Sequence, residues 1–343
     1  MKDFFIKGLI LFFFLSFSDL NAQKRIKVGT DLSKHKADFI SIQAAINSIP
    51  ADNKQLVIIE IAEGIYDEKI LIKNNHIQLT GAGRDATIIT QSVTRDEWRC
   101  EHPNDWGVAT VNVDSSVDIS FQNLTIRNSY GFEHVLSKTI SCPLDSSGKK
   151  TVAKNGHQMA FRSFKASKLR FINCRLLAFG GDTMSPWDTD KGMFYLYNCV
   201  LEGGVDFYCP RGWSYAENCL FISHSGTAAI WHDGSQHKDS KTVLVNCSFK
   251  GFDGFRLGRY HKDAQFFLIN CRFPENMADE DIYLVPTSNQ LKWGRRIYYY
   301  NCSKQNSQSN WFNNNLDLAD GKPDPATINA AWTFGNLWNP EKN

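Results

Sequence analysis

The residues best suited to catalysis lie in four short polar segments within otherwise apolar, strand-like sequence. Two of these segments each contain one aspartate, Asp182 and Asp206, and the two aspartates are 24 residues apart. Gln158 lies 24 residues before Asp182, and Arg259 lies 53 residues after Asp206. If the chain repeats with a period near 24 residues, these side chains stack on one face of neighbouring strands, which lie about 5 Å apart.

Two adjacent carboxylates with an amide and a guanidinium predict ester cleavage. One carboxylate stays ionised and attacks, while the other is held protonated and acts as an acid. An arginine keeps the nucleophile ionised, and a glutamine amide donates to the developing oxyanion. Such a set favours hydrolysis through a covalent intermediate. The alternative interpretation is that the aspartates only end turns and that Arg259 pairs with a surface acid.

The period that these spacings require is present as an internal repeat. Six cysteines each follow an asparagine directly, and the asparagines recur at intervals of 20 to 31 residues between short apolar stretches. Asparagine tolerates the left-handed backbone conformation that a tight corner needs. The repeat therefore predicts an all-β fold, a right-handed parallel β-helix with an internal ladder of buried thiols. The six residues are Cys174, Cys199, Cys219, Cys247, Cys271 and Cys302.

The ends and loops of the chain complete this prediction. Residues 1–22 are typical of a secretory signal peptide, with a charged start, an apolar run and Ala22 at the cleavage position. Residues 23–343 are predicted to form one β-helix domain with long loops around 94–110 and 129–156. We therefore expect an exported protein, either periplasmic or extracellular.

Two further features are predicted from local sequence. An amphipathic helix is expected between Asp38 and Pro50, with Asp38 as its N-cap and its apolar face covering the open end of the β-helix. Cys100 and Cys142 lie outside the cysteine repeat. In an exported protein they are the pair most consistent with a disulfide.

The composition excludes several classes of protein. With 343 residues, 42% of them hydrophobic, the chain is neither disordered nor collagen-like nor a coiled-coil rod. A formal net charge of +2 creates no strong field for nucleic acid. We expect no nucleic-acid partner, no membrane partner and a monomer.

Four motifs, in order and at workable spacing, resemble those of the pectin methylesterases. The chain has HQMAFR, GGDTM, GGVDFY and LGRYH. The family has Gln-Ala-Val-Ala-Leu, Gln-Asp-Thr-Leu, Gly-Thr-Val-Asp-Phe-Ile-Phe-Gly and Leu-Gly-Arg-Pro-Trp at these places. The resemblance extends from about residue 38 to about residue 300. It implies Asp206 as the nucleophile, Asp182 as the general acid and then base, Gln158 as the oxyanion donor and Arg259 as the residue that orients Asp206.

The resemblance also implies a substrate. It predicts hydrolysis of the methyl esters of galacturonic acid in pectin, with no metal and no cofactor. The expected partner is a pectic polysaccharide, a methylated galacturonan, and the long loops suggest a branched one. Sugar rings stack on aromatic faces, and arginine binds carboxylates. The candidate substrate-binding residues are Trp187, Trp213, Trp231, Arg211, Tyr208 and His261.

One departure from the family leaves other interpretations open. Gly181 stands where the family has a second oxyanion glutamine, and either a backbone N–H near Gly181 or Thr183 is the expected replacement. One alternative is a pectate-lyase-type enzyme that binds Ca²⁺ through several acidic ligands. The other alternative is a pectin-binding β-helix without catalysis. The calcium ligands would come from Asp182, Asp188, Asp190 and Asp206.

Overall fold

Short parallel strands recur along the chain and stack coil upon coil around an apolar interior. A computed structural model describes residues 23–342, so the signal peptide predicted over 1–22 lies outside the described residues. The strands form three faces of a parallel β-helix, as predicted. Among the described residues, no helix has the length and apolarity needed to cross a bilayer.

The first two faces are continuous sheets of parallel strands. The first face consists of Lys24–Val28, Val57–Ile61, Ile77–Gly81, Val117–Gln122, Ser167–Ile172, Met193–Tyr197, Trp213–Glu217, Thr242–Val245, Phe266–Ile269 and Ile297–Tyr300. The second face consists of Gly64–Asp67, Thr87–Gln91, Thr125–Asn128, Arg175–Leu177, Val200–Gly203, Leu220–Ser223, Ser248–Gly251, Arg272–Phe273 and Ser303–Lys304.

The third face is divided into two sheets. The first consists of Ile70–Ile72, Val111–Asp114, Phe161–Phe164 and Met184–Trp187, and the second of Ala228–His232, Arg256–Tyr260 and Tyr283–Leu284. An antiparallel hairpin and several helical turns lie outside the three faces. These are the hairpin Lys138–Ser141 with Lys149–Val152, the α-helices Leu32–His35, Ile42–Asn47, Arg95–Trp98, Tyr130–Glu133 and Ala330–Thr333, and the 3₁₀ turns Leu316–Leu318, Pro325–Thr327 and Pro340–Lys342.

The division of the third face occurs at the coil that contains Asp206. Strand pairing continues across this coil through single bridges at Tyr208. This residue pairs with Met184 on one side and with Ile230 on the other. Asp182 and Asp206 have left-handed backbone, with φ of 60° and 49°. A left-handed residue leaves the in-and-out alternation of a strand. The sheet therefore opens at these two residues.

The corner asparagines adopt the conformation that the sequence predicts. The six asparagines that precede the repeat cysteines, and Asn123 at the same corner of an earlier coil, have φ between 49° and 54°. Their side chains also form hydrogen bonds from coil to coil. Asn173 Nδ2 donates to Asn123 Oδ1 at 2.7 Å, Asn198 Nδ2 donates to Asn173 Oδ1 at 3.2 Å, and Asn270 Nδ2 donates to Asn246 Oδ1 at 3.0 Å. The ladder joins successive coils at this corner.

The cysteine ladder is also confirmed. Five of the six cysteines are buried and Cys302 is half-buried, and all six are free thiols. Each sulfur lies near backbone carbonyls; Cys174 Sγ, for example, is 3.3 Å from the Phe121 carbonyl oxygen of the preceding coil. The thiols thus serve as small packing groups, since burial in apolar surroundings leaves thiols inert.

The N-terminal helix covers the end of the interior as expected, but it begins later than predicted. Helix Ile42–Asn47 is capped by Ser41, whose side chain accepts from the Ala44 N–H. Asp38 instead accepts a hydrogen bond from the Lys27 N–H at 2.8 Å. The preceding strand Lys24–Val28, which sequence analysis did not predict, uses that carboxylate.

The two long loops are joined to each other. Cys100 lies in the loop 94–110 and Cys142 lies in the loop 129–156, and the two form a disulfide with a Cα–Cα distance of 4.5 Å. Both loops are structured, since the first contains a helical turn and the second contains a helical turn and the hairpin. The disulfide therefore ties two insertions together at one side of the β-helix.

The asparagine ladder generates a stability prediction. Asn173→Ala removes hydrogen bonds to Asn123 and Asn198, each of which contributes about 0.5–1.5 kcal/mol. Asn218 has the same left-handed backbone, but no hydrogen bond of its side chain is present in the described part of the chain. Asn173→Ala should therefore lower the free energy of unfolding by about 1–3 kcal/mol more than Asn218→Ala, measured by urea denaturation. Equal losses in the two variants would contradict this account.

Candidate active site

A cleft of about 850 Å³ opens at the divided third face. Its walls combine carboxylates, guanidinium groups and indole rings, a composition suited to a polar substrate with ring faces. Among the described residues, the charged and indole side chains that line it are Asp105, Asp114, Asp182, Asp206, Asp233, Arg95, Arg99, Arg162, Arg211, Arg259, Trp106, Trp187 and Trp231.

Asp206 is held by a bidentate ion pair. Arg259 Nε donates to one carboxylate oxygen at 3.0 Å, and Arg259 Nη2 donates to the other at 2.6 Å. Asp206 is 8% exposed. Burial raises the pKa of Asp206 above its ordinary value, and Asp182 adds to this rise, whereas Arg259 and His157 oppose it. The guanidinium thus favours the ionised form and fixes the plane of the carboxylate.

Asp182 is equally buried but has weaker contacts with cations. Arg162 Nη1 lies 4.0 Å from one of its oxygens, and the Cys209 thiol lies 3.6 Å from the other. The two aspartates therefore differ in environment, as a nucleophile and an acid must.

The structure does not bring Gln158 into the cleft. Its side chain is fully buried, its Oε1 accepts from the Gly131 N–H at 3.0 Å, and its Nε2 donates to the Lys154 carbonyl oxygen. The spacing of 24 residues to Asp182 is real. However, Asp182 is turned outward by its left-handed backbone, and the backbone at Gln158 is not left-handed. Equal spacing thus places the two side chains on opposite sides of the strand.

Two residues of the same segment reach the cleft instead. His157 is exposed there, and Arg162 lines the floor at 3% exposure. The sequence analysis singled out this segment but did not identify either residue as a functional candidate. For His157 the signal was the alternation of side chains, since it is adjacent to Gln158 and must face the opposite side. Alternation does not find Arg162, because a bulge at which the Thr183 carbonyl oxygen accepts from the N–H groups of Ala160 and Phe161 lies between it and Gln158.

Three of the six predicted binding residues lie in the cleft. Trp187 is 38% exposed and Trp231 lines the opposite sheet. The Arg211 guanidinium lies 4.3 Å from the centre of the Trp187 ring, and the Arg259 guanidinium lies 5.2 Å from the centre of the Trp231 ring. These contacts hold the two indoles at the rim of the cleft.

The other three predicted binding residues lie elsewhere. Trp213 begins a strand of the first face, and its side chain packs against the apolar cluster that the C-terminal segment covers, away from the cleft. Tyr208 is fully buried in the core and shares a hydrogen bond with Ser214. His261 lies behind the wall, 3.4 Å from an Asp233 oxygen, so it supports the cleft without lining it.

Arg211 is a buried anchor of the cleft wall. It is 5% exposed, its Nε donates to Asp233, and its Nη1 donates to Ser185 Oγ at 2.9 Å and to the Cys209 carbonyl oxygen at 3.2 Å. Burial acts to raise the pKa of Asp233, but the pair with Arg211 outweighs it and holds the pKa below its ordinary value.

The remaining wall comes from the loop 94–110, which sequence analysis treated only as an insertion. Arg95 Nε donates to both oxygens of Asp105, at 3.2 and 3.1 Å. Arg162 from the floor donates to the same carboxylate at 3.2 Å. Asp105 thus attaches the loop to the β-helix. Nothing in the local sequence marks this aspartate, since Arg162, the partner that joins it to the β-helix, lies 57 residues further along the chain.

The described residues contain no group of three or more His, Cys, Asp or Glu side chains arranged to hold a metal ion. The four aspartates considered for Ca²⁺ are accordingly not gathered into one ligand set. Asp188 accepts hydrogen bonds from the backbone N–H groups of Asp190 and Lys191, and Asp190 contacts His237.

Comparison with known proteins gives a consistent set of matches. The pectinesterase family model matches residues 28–160. Probable pectinesterase 55 of Arabidopsis thaliana is 30% identical over 252 residues, which cover 69% of this chain and 66% of that protein. Pectinesterase 1 of Olea europaea is 30% identical over 247 residues, covering 70% of this chain and 60% of that protein. The chain thus spans less than two thirds of the length of each relative.

Solved structures extend the likeness over nearly the whole chain. Pectin methylesterase PemA from Erwinia chrysanthemi is 20% identical with a TM-score of 0.69, over 93% of this chain and 99% of that one. Pectin methylesterase from carrot is 16% identical with a TM-score of 0.55, over 82% of this chain and 88% of that one. At these identities the likeness concerns the fold, the parallel β-helix.

The Arg211–Asp233 pair generates a prediction that depends on pH. Arg211→Ala leaves Asp233 without its guanidinium, and breaking a buried ion pair costs about 3–5 kcal/mol. The loss should be fully present above the ordinary pKa of aspartate. It should shrink as the pH falls through the pKa of Asp233 in the intact protein, because that pKa is depressed. Urea denaturation near neutral pH and in acid measures it.

Arg25→Ala is the matched control for this prediction. Arg25 pairs with Glu60, and their side chains are 55% and 36% exposed. An exposed pair contributes about 0–1 kcal/mol. A loss for Arg211→Ala no larger than that for Arg25→Ala would contradict the role of Arg211 as an anchor.

Proposed function

The chain belongs to the pectinesterase family, and we propose on that premise that it hydrolyses the methyl esters of galacturonic acid in pectin. The products are a free carboxylate and methanol. The observation that carries the proposal is the unequal pair of buried aspartates, Asp206 and Asp182, at the floor of an open cleft. A pectin methylesterase of the same fold has been solved in complex with a hexasaccharide, which supports an oligosaccharide as the occupant of this cleft.

The proposed reaction proceeds in two steps. In the first, an ionised Asp206 oxygen attacks the ester carbonyl carbon, and the carbonyl electron pair moves to its oxygen. The tetrahedral intermediate then collapses, and Asp182 protonates the departing methoxide to give methanol. In the second, Asp182 takes a proton from water, and the hydroxide attacks the anhydride at the former ester carbonyl carbon. Asp206 leaves as a carboxylate, and Asp182 is protonated again.

Four other residues have supporting roles in this proposal. Arg259 orients Asp206 and favours its ionised form. Trp187 and Trp231 present indole faces at the two sides of the cleft, where sugar rings can stack. Arg211 supports Trp187 from below, so its contribution to substrate binding is through the position of that ring.

Export of the protein is part of the proposal. The signal peptide predicted over residues 1–22 directs the chain out of the cytoplasm. A disulfide between Cys100 and Cys142 is consistent with an oxidising compartment.

Substitution of the two aspartates tests the activity. Asp206→Asn and Asp182→Asn should each abolish methanol release from methylated pectin while the fold, followed by circular dichroism, is retained. Asparagine is nearly isosteric with aspartate but provides neither a nucleophile nor an acid at these positions. EDTA in a parallel reaction should have no effect.

Other results of the same assay identify the alternatives. Unsaturated products that EDTA suppresses would indicate a calcium-dependent lyase. Binding to pectin without methanol release would indicate a pectin-binding protein. Methanol release retained by either variant would contradict the assignment of the two aspartates.

Removal of Arg259 tests the protonation of Asp206. Burial raises the pKa of Asp206 and Arg259 opposes that rise, so Arg259→Ala raises the pKa further. Because the ionised form attacks, the acid limb of kcat/KM should move to higher pH, and kcat should fall. Arg256→Ala is the control, since Arg256 lies on the same strand and pairs with the exposed Glu280. An acid limb that stays in place would contradict the proposed ion-pair role.

A further inference from the structure

The proposed attack requires a hydrogen-bond donor for the oxyanion, and the expected donors are already occupied. The amide of Gln158 is buried away from the cleft. Thr183 is fully buried, and its hydroxyl donates to the Glu202 carbonyl oxygen at 2.9 Å. The Gly181 N–H donates to the Gly156 carbonyl oxygen at 3.2 Å. Another group must therefore face the ester carbonyl.

His157 occupies the place where that donor is needed. It forms a parallel bridge with Gly181, the residue directly before Asp182, and it lines the cleft together with Asp182 and Asp206. A Cβ atom on Gly181 would lie 3.2 Å from His157 Cδ2 and 2.8 Å from Val205 Cγ1. The imidazole edge thus lies beside the space that a side chain at position 181 would enter. Glycine at this position and histidine at 157 fit each other.

The backbone around His157 is held at both sides. The His157 carbonyl oxygen accepts from the Arg95 N–H at 2.9 Å, and the following N–H, of Gln158, donates to the Gly181 carbonyl oxygen at 2.9 Å. The imidazole itself is exposed in the cleft, and within residues 23–342 neither of its ring nitrogens has a hydrogen-bond partner. The backbone at His157 is therefore fixed, and its imidazole lines the cleft with its N–H free to donate to a bound ester.

We propose that His157 is the oxyanion donor of this site. Its imidazole N–H would hydrogen-bond to the carbonyl oxygen of the ester as Asp206 attacks the carbonyl carbon. The hydrogen bond strengthens as the carbonyl electron pair moves onto that oxygen, and it weakens when the intermediate collapses and methanol leaves. The proton stays on the imidazole throughout. This inference rests on the esterase function proposed above.

The chemistry of imidazole suits this role. A histidine side chain carries at least one N–H in both of its protonation states, so it donates whether neutral or charged. Burial is the largest influence on the pKa of Asp206 and raises it, and the charge of His157 is among the influences that lower it. The imidazole and the nucleophile line the same cleft, and the two groups influence each other electrostatically.

Two substitutions at position 157 test the proposal. His157→Ala should lower kcat for methanol release by about 10²–10³-fold with little change in KM, because the donor acts in the transition state. His157→Gln should recover most of that loss, since an amide N–H donates but cannot transfer a proton at neutral pH. His237→Ala is the matched control, because His237 is exposed and pairs with Asp190 outside the cleft. Circular dichroism and thermal unfolding check that all three variants fold.

The outcomes separate this proposal from the function on which it rests. If the wild-type protein releases methanol and folded His157→Ala has an unchanged kcat, the esterase function stands and the role of His157 is overturned. If His157→Gln is as slow as His157→Ala, a proton-transfer role replaces the donor role. If the wild-type protein releases no methanol while Asp206→Asn and wild type bind pectin equally, the proposed function itself fails and this inference fails with it.

Discussion

The parallel register between successive coils is the constraint on which the rest of the structure depends. Trp187 pairs with Arg211, and Met184 pairs with Tyr208, so one coil advances the chain by 24 residues at this point. Hydrogen bonds between parallel strands hold this offset. As a result, side chains at equivalent positions of successive coils stack on one another. The asparagine corner and the cysteine ladder use the same stacking. The two cleft aspartates, Asp182 and Asp206, depend on it too, since they come from neighbouring coils.

The site exists where two residues depart from that regularity. Left-handed backbone at Asp182 and Asp206 is uncommon for residues other than glycine, although aspartate tolerates it better than most. The departure turns two carboxylates outward and divides the third face, which creates a cleft in a surface that would otherwise be flat. The surrounding core and the Arg259 ion pair hold the aspartates in this conformation. The local cost in backbone energy is thus tied directly to the geometry that the proposed reaction needs.

The cleft also depends on segments outside the repeat. The loop 94–110 supplies one wall, and Asp105 connects it to the floor through Arg162. The disulfide between Cys100 and Cys142 links this loop to the second insertion. A β-helix supplies a stack of strands and a shallow face, whereas the insertions give that face depth. The repeat and the insertions therefore have separate tasks, one setting the spacing of reacting groups and the other setting access to them.

The sequence by itself determined the coil, its corners and the pairing of distant charged groups. Periodic asparagines and cysteines report local backbone and burial, and constant spacing is enough to align Asp182, Asp206 and Arg259.

Only the tertiary structure decided on which side of a strand each group lies. Gln158 faces inward and His157 lines the cleft, because a neighbouring bulge and the left-handed aspartates break the equivalence of the coils. At the bulge the Thr183 carbonyl oxygen accepts from two successive N–H groups. A shift of one residue reverses the direction of a side chain, and spacing alone does not record it. The same dependence on side-chain direction explains why Tyr208 points into the core and Trp213 points away from the cleft. The wall at Asp105 depends on contacts between segments that are far apart in the chain, which no local pattern encodes.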